Sequence, residues 1–392
     1  VVVLCDLMAS FPQRLRRLHE DSAQGRPVTM AGRCLLWLAA LLSRVARWAK
    51  KSLYDFRILP RVRLDCLTVS IGNITTGGTG KTPLAAWIAH RLRDLGASVV
   101  LLSRGYGRDP GPWARWASLD GRLVANPRQC GDESYLLARA LPAVDVLVGK
   151  RRAITGRCAR RLCGAKAVIL DDGYQYWRLH RDLDILTLDL PLNPARLRSF
   201  PVGVLREPVT RLAGADFIVL TGAERATPQD RLAVTDFLDR VAPGIPRAFA
   251  SYSPVRLRPW PDGAPLPVEA LACKTVVALA ALGRPSGFFD TLSRLEAKVL
   301  PAPFPDHHRF RVDELEREAR RAQTERADFI VMTAKDEGNL PPGYSFSKPA
   351  VVLDVELSIE ATAEGDLEAA LVSALKRRHQ VESFNEAPNS RK

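Results

Sequence analysis

Short continuous apolar runs recur along the chain and are separated by stretches with helical spacing. CLTVSIG at 66–72, SVVLL at 98–102, VDVLVG at 144–149, AKAVIL at 165–170, DLDILTLD at 182–189 and ADFIVLT at 215–221 each read as a buried strand. Between the first two, residues 84–95 place apolar and basic positions at helical spacing and stop at Gly96, which predicts a helix. The alternation resumes with strands TVVALAAL at 275–282, ADFIVMT at 327–333 and AVVLDV at 350–355, a helix running through Leu295, and a short helix over 364–377. Strands alternating with helices in this way predict an α/β fold built on a parallel sheet.

Interruptions in the pattern suggest the organisation. Residues 246–270 are rich in proline and lack helical period, so they read as extended. Two Rossmann-like α/β/α units are therefore expected, a core over 63–245 and a smaller C-terminal unit over 275–380, joined by an extended linker over 246–274. Residues 1–27 read as a poorly ordered extension and 381–392 as a charged tail, while 109–129, rich in Trp, Pro and Gly, predict a loop or small hairpin over the site. The N-terminal region 28–62 carries a different pattern. Along 33–51 an amphipathic helix places Arg33, Arg44, Arg47 and Lys51 on one face, with leucine, alanine and tryptophan filling most of the remainder. Spacing leaves two readings level: an interfacial membrane helix with Trp37 and Trp48 near the headgroups, or a helix packed on its own domain.

Composition narrows the partners. The 392 residues are 46% hydrophobic, enough for more than one core, and 57 Lys and Arg against 43 Asp and Glu give a net charge of +14. Anionic partners are favoured. Nucleic acid is not expected, because no recognition-helix motif and no basic pattern interleaved with aromatic residues accompanies the charge. Seven cysteines without a C-x-x-C pair suggest neither zinc nor a disulfide framework. The chain has neither a secretory pattern at its start nor an apolar run of about 18 residues, so a cytoplasmic location without a spanning helix is expected.

The candidate chemistry centres on the turn after the first strand, Thr75, Thr76, Gly77, Gly78, Thr79, Gly80, Lys81 and Thr82, followed by Pro83. Small residues let successive N–H groups cradle phosphates, the lysine neutralises them, the threonine hydroxyl reaches Mg2+, and proline suits a first helical turn. Thr75 stands where the general pattern has its first glycine. A glycine-rich turn between two elements is usually only a turn, but this stretch carries the signature of a phosphate-binding loop, and the residues downstream strengthen that reading. Asp171 and Asp172 end an apolar strand about ninety residues after Lys81 in the same alternation, which favours a carboxylate in a magnesium shell over a mere cap of the next element. Asp132 reads first as a helix N-cap, and Arg206 with Glu207 as a solvated pair. His307 and His308 are adjacent, so their rings diverge and one metal between them is not expected.

GNITTGGTGKTP, SRGYGR, GDE, DDGYQYWRL, LREP and FPDHH occur in an order that resembles the tetraacyldisaccharide 4'-kinase family, the lipid A 4'-kinases of Gram-negative bacteria, over about 32–356. The resemblance implies a P-loop kinase using ATP and Mg2+ on the cytoplasmic face of the inner membrane. It would phosphorylate the 4'-hydroxyl of a tetraacylated disaccharide 1-phosphate to give lipid IVA. It further implies that residues 75–82 bind the nucleotide, with Thr82, Asp171, Asp172 and Glu207 around the metal. Lys81 and Arg206 would stabilise the transferred phosphoryl group, and Asp132 would be the general base, oriented by His307. Arg104, Tyr106 and Gln175 would line the acceptor or nucleotide side. A lipid substrate also tips the 33–51 helix toward the anionic membrane surface. The chain departs from the family pattern at Ser134, at 193–203 and at Ala334. A P-loop ATPase of the partitioning or metallochaperone type is the main competitor, and it would typically carry lysine at Thr76. A nucleotide-dependent membrane adaptor is the other.

Overall fold

The computed structural model describes residues 29–75, 79–190, 192, 197, 205–283, 285–306 and 308–386; His307, Thr76, Gly77 and Gly78 lie outside that set, as do 1–28 and 387–392. Helix α1 (Met30–Asp55) opens the described chain, its first turn capped by the Thr29 hydroxyl. The elements that follow are β1 (Leu67–Gly72), α2 (Lys81–Asp94), β2 (Val99–Ser103), β3 (Ala114–Leu119), β4 (Arg122–Leu123), α3 (Pro127–Cys130), α4 (Asp132–Ala140), β5 (Asp145–Gly149), α5 (Arg152–Cys163), β6 (Ala167–Leu170), β7 (Leu183–Asp189), β8 (Phe217–Thr221) and α6 (Pro228–Val241). The chain continues through β9 (Arg247–Trp260), β10 (Thr275–Ala280), α7 (Ser286–Arg294), β11 (Lys298–Pro303), α8 (Val312–Thr324), β12 (Phe329–Thr333), α9 (Ala334–Glu337), β13 (Ala350–Glu360) and α10 (Leu367–Glu386).

All strands join one thirteen-stranded sheet in the order β11-β10-β12-β13-β9-β8-β7-β1-β6-β2-β5-β3-β4. The apolar runs become parallel strands covered on both faces: every residue of β1, β2, β6, β7 and β8 is buried. β1 lies between β6 and β7, each parallel to it. The connection after β1 runs to β2 on one side and that after β6 crosses back past β1 to β7 on the other, so the carboxyl ends of β1 and β6 form a switch point, the position at which open α/β sheets bind ligands. The stretch 109–129 forms the antiparallel hairpin β3–β4 at one edge.

The segment 246–274, expected as a linker, is extended but does not hang free. Its β9 pairs in parallel with β8 through Arg247 to Ala250 and antiparallel with β13 through Phe249 to Trp260. Pro254 and Pro259 fall where only β13 is a neighbour, so their missing donors leave the β8 ladder intact. A second departure concerns α10, placed by the sequence reading in the C-terminal unit. Its Leu367, Leu371, Ala374 and Leu375 pack with Leu67, Leu84, Ile88 and Leu92 in the core of the first half. Arg91 of α2 pairs with Glu368, and Arg378 donates to the Leu64 carbonyl at 2.6 Å. The apolar spacing of α10 is satisfied only by returning to α2. The second half keeps its own cores on the two faces of β10, β12 and the first residues of β13.

Candidate active site

The loop after β1 is fastened from several sides. Thr79 turns its hydroxyl into the core, 2.7 Å from the Thr187 hydroxyl on β7 and accepting from Asn73 Nδ2 at 3.0 Å. Thr221 at the end of β8 donates to the Thr79 carbonyl at 3.1 Å. The side chain of Thr79 is thus scaffold. Gly80 sits at φ +73° ahead of α2, and a Cβ there would lie 1.8 Å from the Tyr252 hydroxyl of β9. Both the conformation and the space demand glycine. Lys81 and Thr82 then form the first turn of α2, with Pro83 at the third helical position.

LREP is pinned to the same loop. Thr75 bridges Leu205, and the Ile74 carbonyl accepts from the Arg206 amide at 2.7 Å and the Glu207 amide at 3.3 Å. Arg206 is thereby carried to Asp172, its Nη1 donating to Oδ2 at 3.2 Å, while Lys81 Nζ lies 3.7 Å from Oδ1 of the same carboxylate. Glu207 is buried, with Arg211 Nε 4.0 Å from its Oε2. Two cations therefore flank one carboxylate at the carboxyl ends of the strands, where the phosphates of a nucleotide would carry negative charge.

Asp171 and Asp172 follow β6 in a turn that puts Asp172 at φ +49°. Arg152, at the start of α5, holds that turn by donating to the Asp171 carbonyl at 2.8 Å and the Asp172 carbonyl at 3.0 Å, its guanidinium 4.7 Å from the Tyr176 ring. Sequence reading gave Arg152 no part in the site. It lies within a dense basic stretch, and nothing in such a run marks which member is buried. The Asp171 side chain is buried and accepts from Ser103 at 3.4 Å, and Ser103 accepts from Ser134 of α4 at 2.8 Å. Ser134, a departure from the family pattern, thus links α4 to the aspartate pair. Burial, then the charges of Glu133 and Asp172, push the Asp171 carboxyl up to about 7 against the opposing pull of Lys81 and Arg152. Such a carboxyl gains from an added cation nearby.

The residues present fit a magnesium ion in kind. Thr82, Asp172 and Glu207 supply hard oxygens, and Asp172 Oδ1 is buried without a hydrogen bond. Among the described residues no three His, Cys, Asp or Glu side chains converge on one cation position. Phosphate oxygens and water commonly complete a Mg2+ shell in nucleotide sites.

Asp132 is not the N-cap. Gly131 takes that position at φ +89°, and Asp132 is the first residue of α4 with its side chain 16% exposed. Its Oδ1 lies 3.9 Å from Nη2 of Arg309, so the FPDHHRF stretch of the second half comes to the Asp132 carboxylate. His308 is occupied elsewhere: its Nε2 is 2.7 Å from Glu314, and its ring stacks on Phe304 at 5.2 Å. It anchors the start of α8. Gln175 donates to the Asn73 carbonyl at 3.0 Å and so tethers the loop that follows β1. Arg104 and Tyr106 lie exposed on the loop after β2. The structure thus gathers Lys81, Asp171, Asp172, Arg206 and Glu207 around the glycine-rich loop, with Asp132 on the adjoining helix.

The family model for tetraacyldisaccharide-1-P 4'-kinase matches residues 32–376. A tetraacyldisaccharide 4'-kinase of Anaeromyxobacter sp. (strain K) is 40% identical over 366 residues, covering 92% of this chain and 95% of that protein. The corresponding kinase of Syntrophus aciditrophicus (strain SB) is 35% identical, covering 89% of this chain and 95% of its own. A crystal structure of the Aquifex aeolicus protein of the same family, in complex with ATP, superimposes with a TM-score of 0.65 at 28% identity, covering 88% of this chain and 99% of that one. With the glycine-rich loop, the aspartate turn and LREP assembled at the carboxyl ends of the central strands and a family match along most of its length, this chain belongs to the tetraacyldisaccharide-1-P 4'-kinase family.

Proposed function

We infer that this chain transfers the γ-phosphate of ATP to the 4'-hydroxyl of tetraacyldisaccharide 1-phosphate, giving lipid IVA in lipid A biosynthesis. The observation that carries the reading is the convergence of Lys81 and Arg206 on Asp172 beside the glycine-rich loop, with Asp132 on the neighbouring helix. Backbone N–H groups of the loop and the start of α2 cradle the phosphates. Lys81 and Arg206 meet the charge that develops on the transferred group. Asp132 takes the proton from the sugar hydroxyl, and His307 orients that carboxylate. Thr82, Asp172 and Glu207, supported by Asp171, would hold Mg2+, which supplies positive charge to the phosphate oxygens. Arg104 and Tyr106 sit on the loop beside Gly131 and would meet the acceptor or the nucleotide. Incubating the purified protein with the disaccharide 1-phosphate and ATP should yield the 4'-phosphorylated product. ATP turnover that ignores the disaccharide would point instead to an ATPase.

The acceptor carries four acyl chains, so the enzyme has to meet it at a bilayer. No helix among the described residues is long and apolar enough to cross a membrane. Helix α1 exposes Trp37, Leu38, Leu41, Val45 and Trp48, and positions 37, 41, 45 and 48 share a face. The side chains of Arg33, Arg44 and Arg47 lie outside the described set. The exposed apolar face supports an interfacial helix on the anionic cytoplasmic face of the inner membrane in a Gram-negative cell. Replacing Trp37 and Leu41 with glutamate, or Arg44 and Arg47 with glutamate, should lower sedimentation with anionic vesicles severalfold. Unchanged sedimentation of both double variants would make α1 a purely structural helix.

A further inference from the structure

The four-residue helix α9 stands between the two halves. Its Glu337 side chain is 1% exposed and accepts from Arg139 Nη2 of α4 at 2.6 Å and from both terminal nitrogens of Arg258 on β9 at 2.7 Å. Two residues earlier, Lys335 donates to Asp306 at 2.6 Å. One residue after α9 come Gly338 and then Asn339, whose carbonyl accepts from the Phe310 amide at 3.2 Å. Asp306 and Phe310 are therefore both tied to this turn. The turn itself is rigid. Thr333 caps it, and Asp336 bonds back to Thr333 and accepts from the Ala281 amide at 2.7 Å.

Seen along α4, the arrangement has a second end. Arg139 lies seven residues after Asp132 on one helix, roughly 10 Å away at 1.5 Å per residue. One side of α9 thus grips the helix that carries Asp132, and the other grips the loop that brings Arg309 to within 3.9 Å of Asp132. We propose that Glu337, acting through Arg139, is a positioning residue that sets Asp132 against Arg309. The inference rests on the reading of Asp132 as general base. The Glu337 carboxylate is closed off from water, and although Arg139 is 37% exposed, its charge-assisted bond to that fixed carboxylate sets where the end of α4 lies. Misplacement of a reacting group by about 1 Å costs about 100-fold in rate.

Arg139→Met is the clean test, because it removes the link to α4 and leaves Glu337 bonded on both oxygens to Arg258. The variant is expected to fold, to bind ATP within about twofold of the parent, and to lose about 10- to 100-fold in kcat for transfer. In an Asp132→Asn background the same substitution should cost less than about twofold, since no base remains to be aligned. Glu337→Gln, which keeps an acceptor and removes the charge, should show the same two-background pattern. Full kcat in Arg139→Met would overturn the proposal. So would equal losses in both backgrounds, or a matching loss of ATP affinity, because each marks a general structural effect. The two readings fail separately. Full transfer by Asp132→Asn alone sinks the base assignment, whereas a crippled Asp132→Asn beside a fully active Arg139→Met sinks only the positioning role.

Discussion

Asparagine at position 132 is expected to lower the rate of phosphoryl transfer by about 10²- to 10⁴-fold, the span associated with loss of a general base. The substitution keeps the volume of the side chain and a polar group at the first position of α4, and it removes the ability to take up a proton together with the negative charge facing Arg309. Because Asp132 stands on α4 and the phosphate loop is fastened independently to β7 and β8, ATP binding should be unaffected. Single-turnover transfer to the disaccharide, measured beside ATP binding, separates the two. A variant that transfers at the parental rate would return Asp132 to a helix-start residue and leave the acceptor hydroxyl to another group.

Alanine at Lys81 should act on the other half of the reaction, with a loss on the order of 10³ in kcat/KM. Lys81 is 15% exposed at the first position of α2 and lies 3.7 Å from Asp172. Its removal takes a positive charge from the phosphates and leaves Asp172 with Arg206 as its cationic neighbour at 3.2 Å. Weakened ATP binding should accompany the loss, in contrast to Asp132→Asn. Transfer at more than about a tenth of the parental rate would show that the glycine-rich loop does not carry the phosphates.

The placement of the residues around the glycine-rich loop was legible because their pattern is local. A glycine-rich turn after an apolar run, and an aspartate pair ending another, are each carried on a strand whose burial the run itself announces. Asp132 needed more, since an aspartate at a helix start is common, and only the family pattern raised it. Contacts between distant residues left no mark in the pattern. Arg152 is one basic residue among several, and its burial beneath the aspartate turn follows from where α5 packs on the sheet. The connection at 246–274 was read from its prolines as a linker, and those prolines are tolerated because that part of β9 has a single neighbour. β11 escaped notice for a related reason, since KVLPAP survives as a strand only at the sheet edge. For FPDHH the pattern could name both histidines but not divide their tasks. The bond between His308 and Glu314 assigns that ring to the start of α8.

The return of α10 to the first half has a consequence for how the protein is made. Leu84, Ile88 and Leu92 emerge early during synthesis, yet the core around them is closed by Leu367, Leu371 and Leu375, which emerge after every strand of the sheet. β9 must likewise wait about a hundred residues for β13, the partner along most of its length. The nascent chain therefore carries an open apolar surface on α2 until translation has passed through the second half. A ribosome that stalls between β9 and α10 releases a product with a complete phosphate loop and an unfinished core, suited to capture by chaperones or proteases rather than to catalysis.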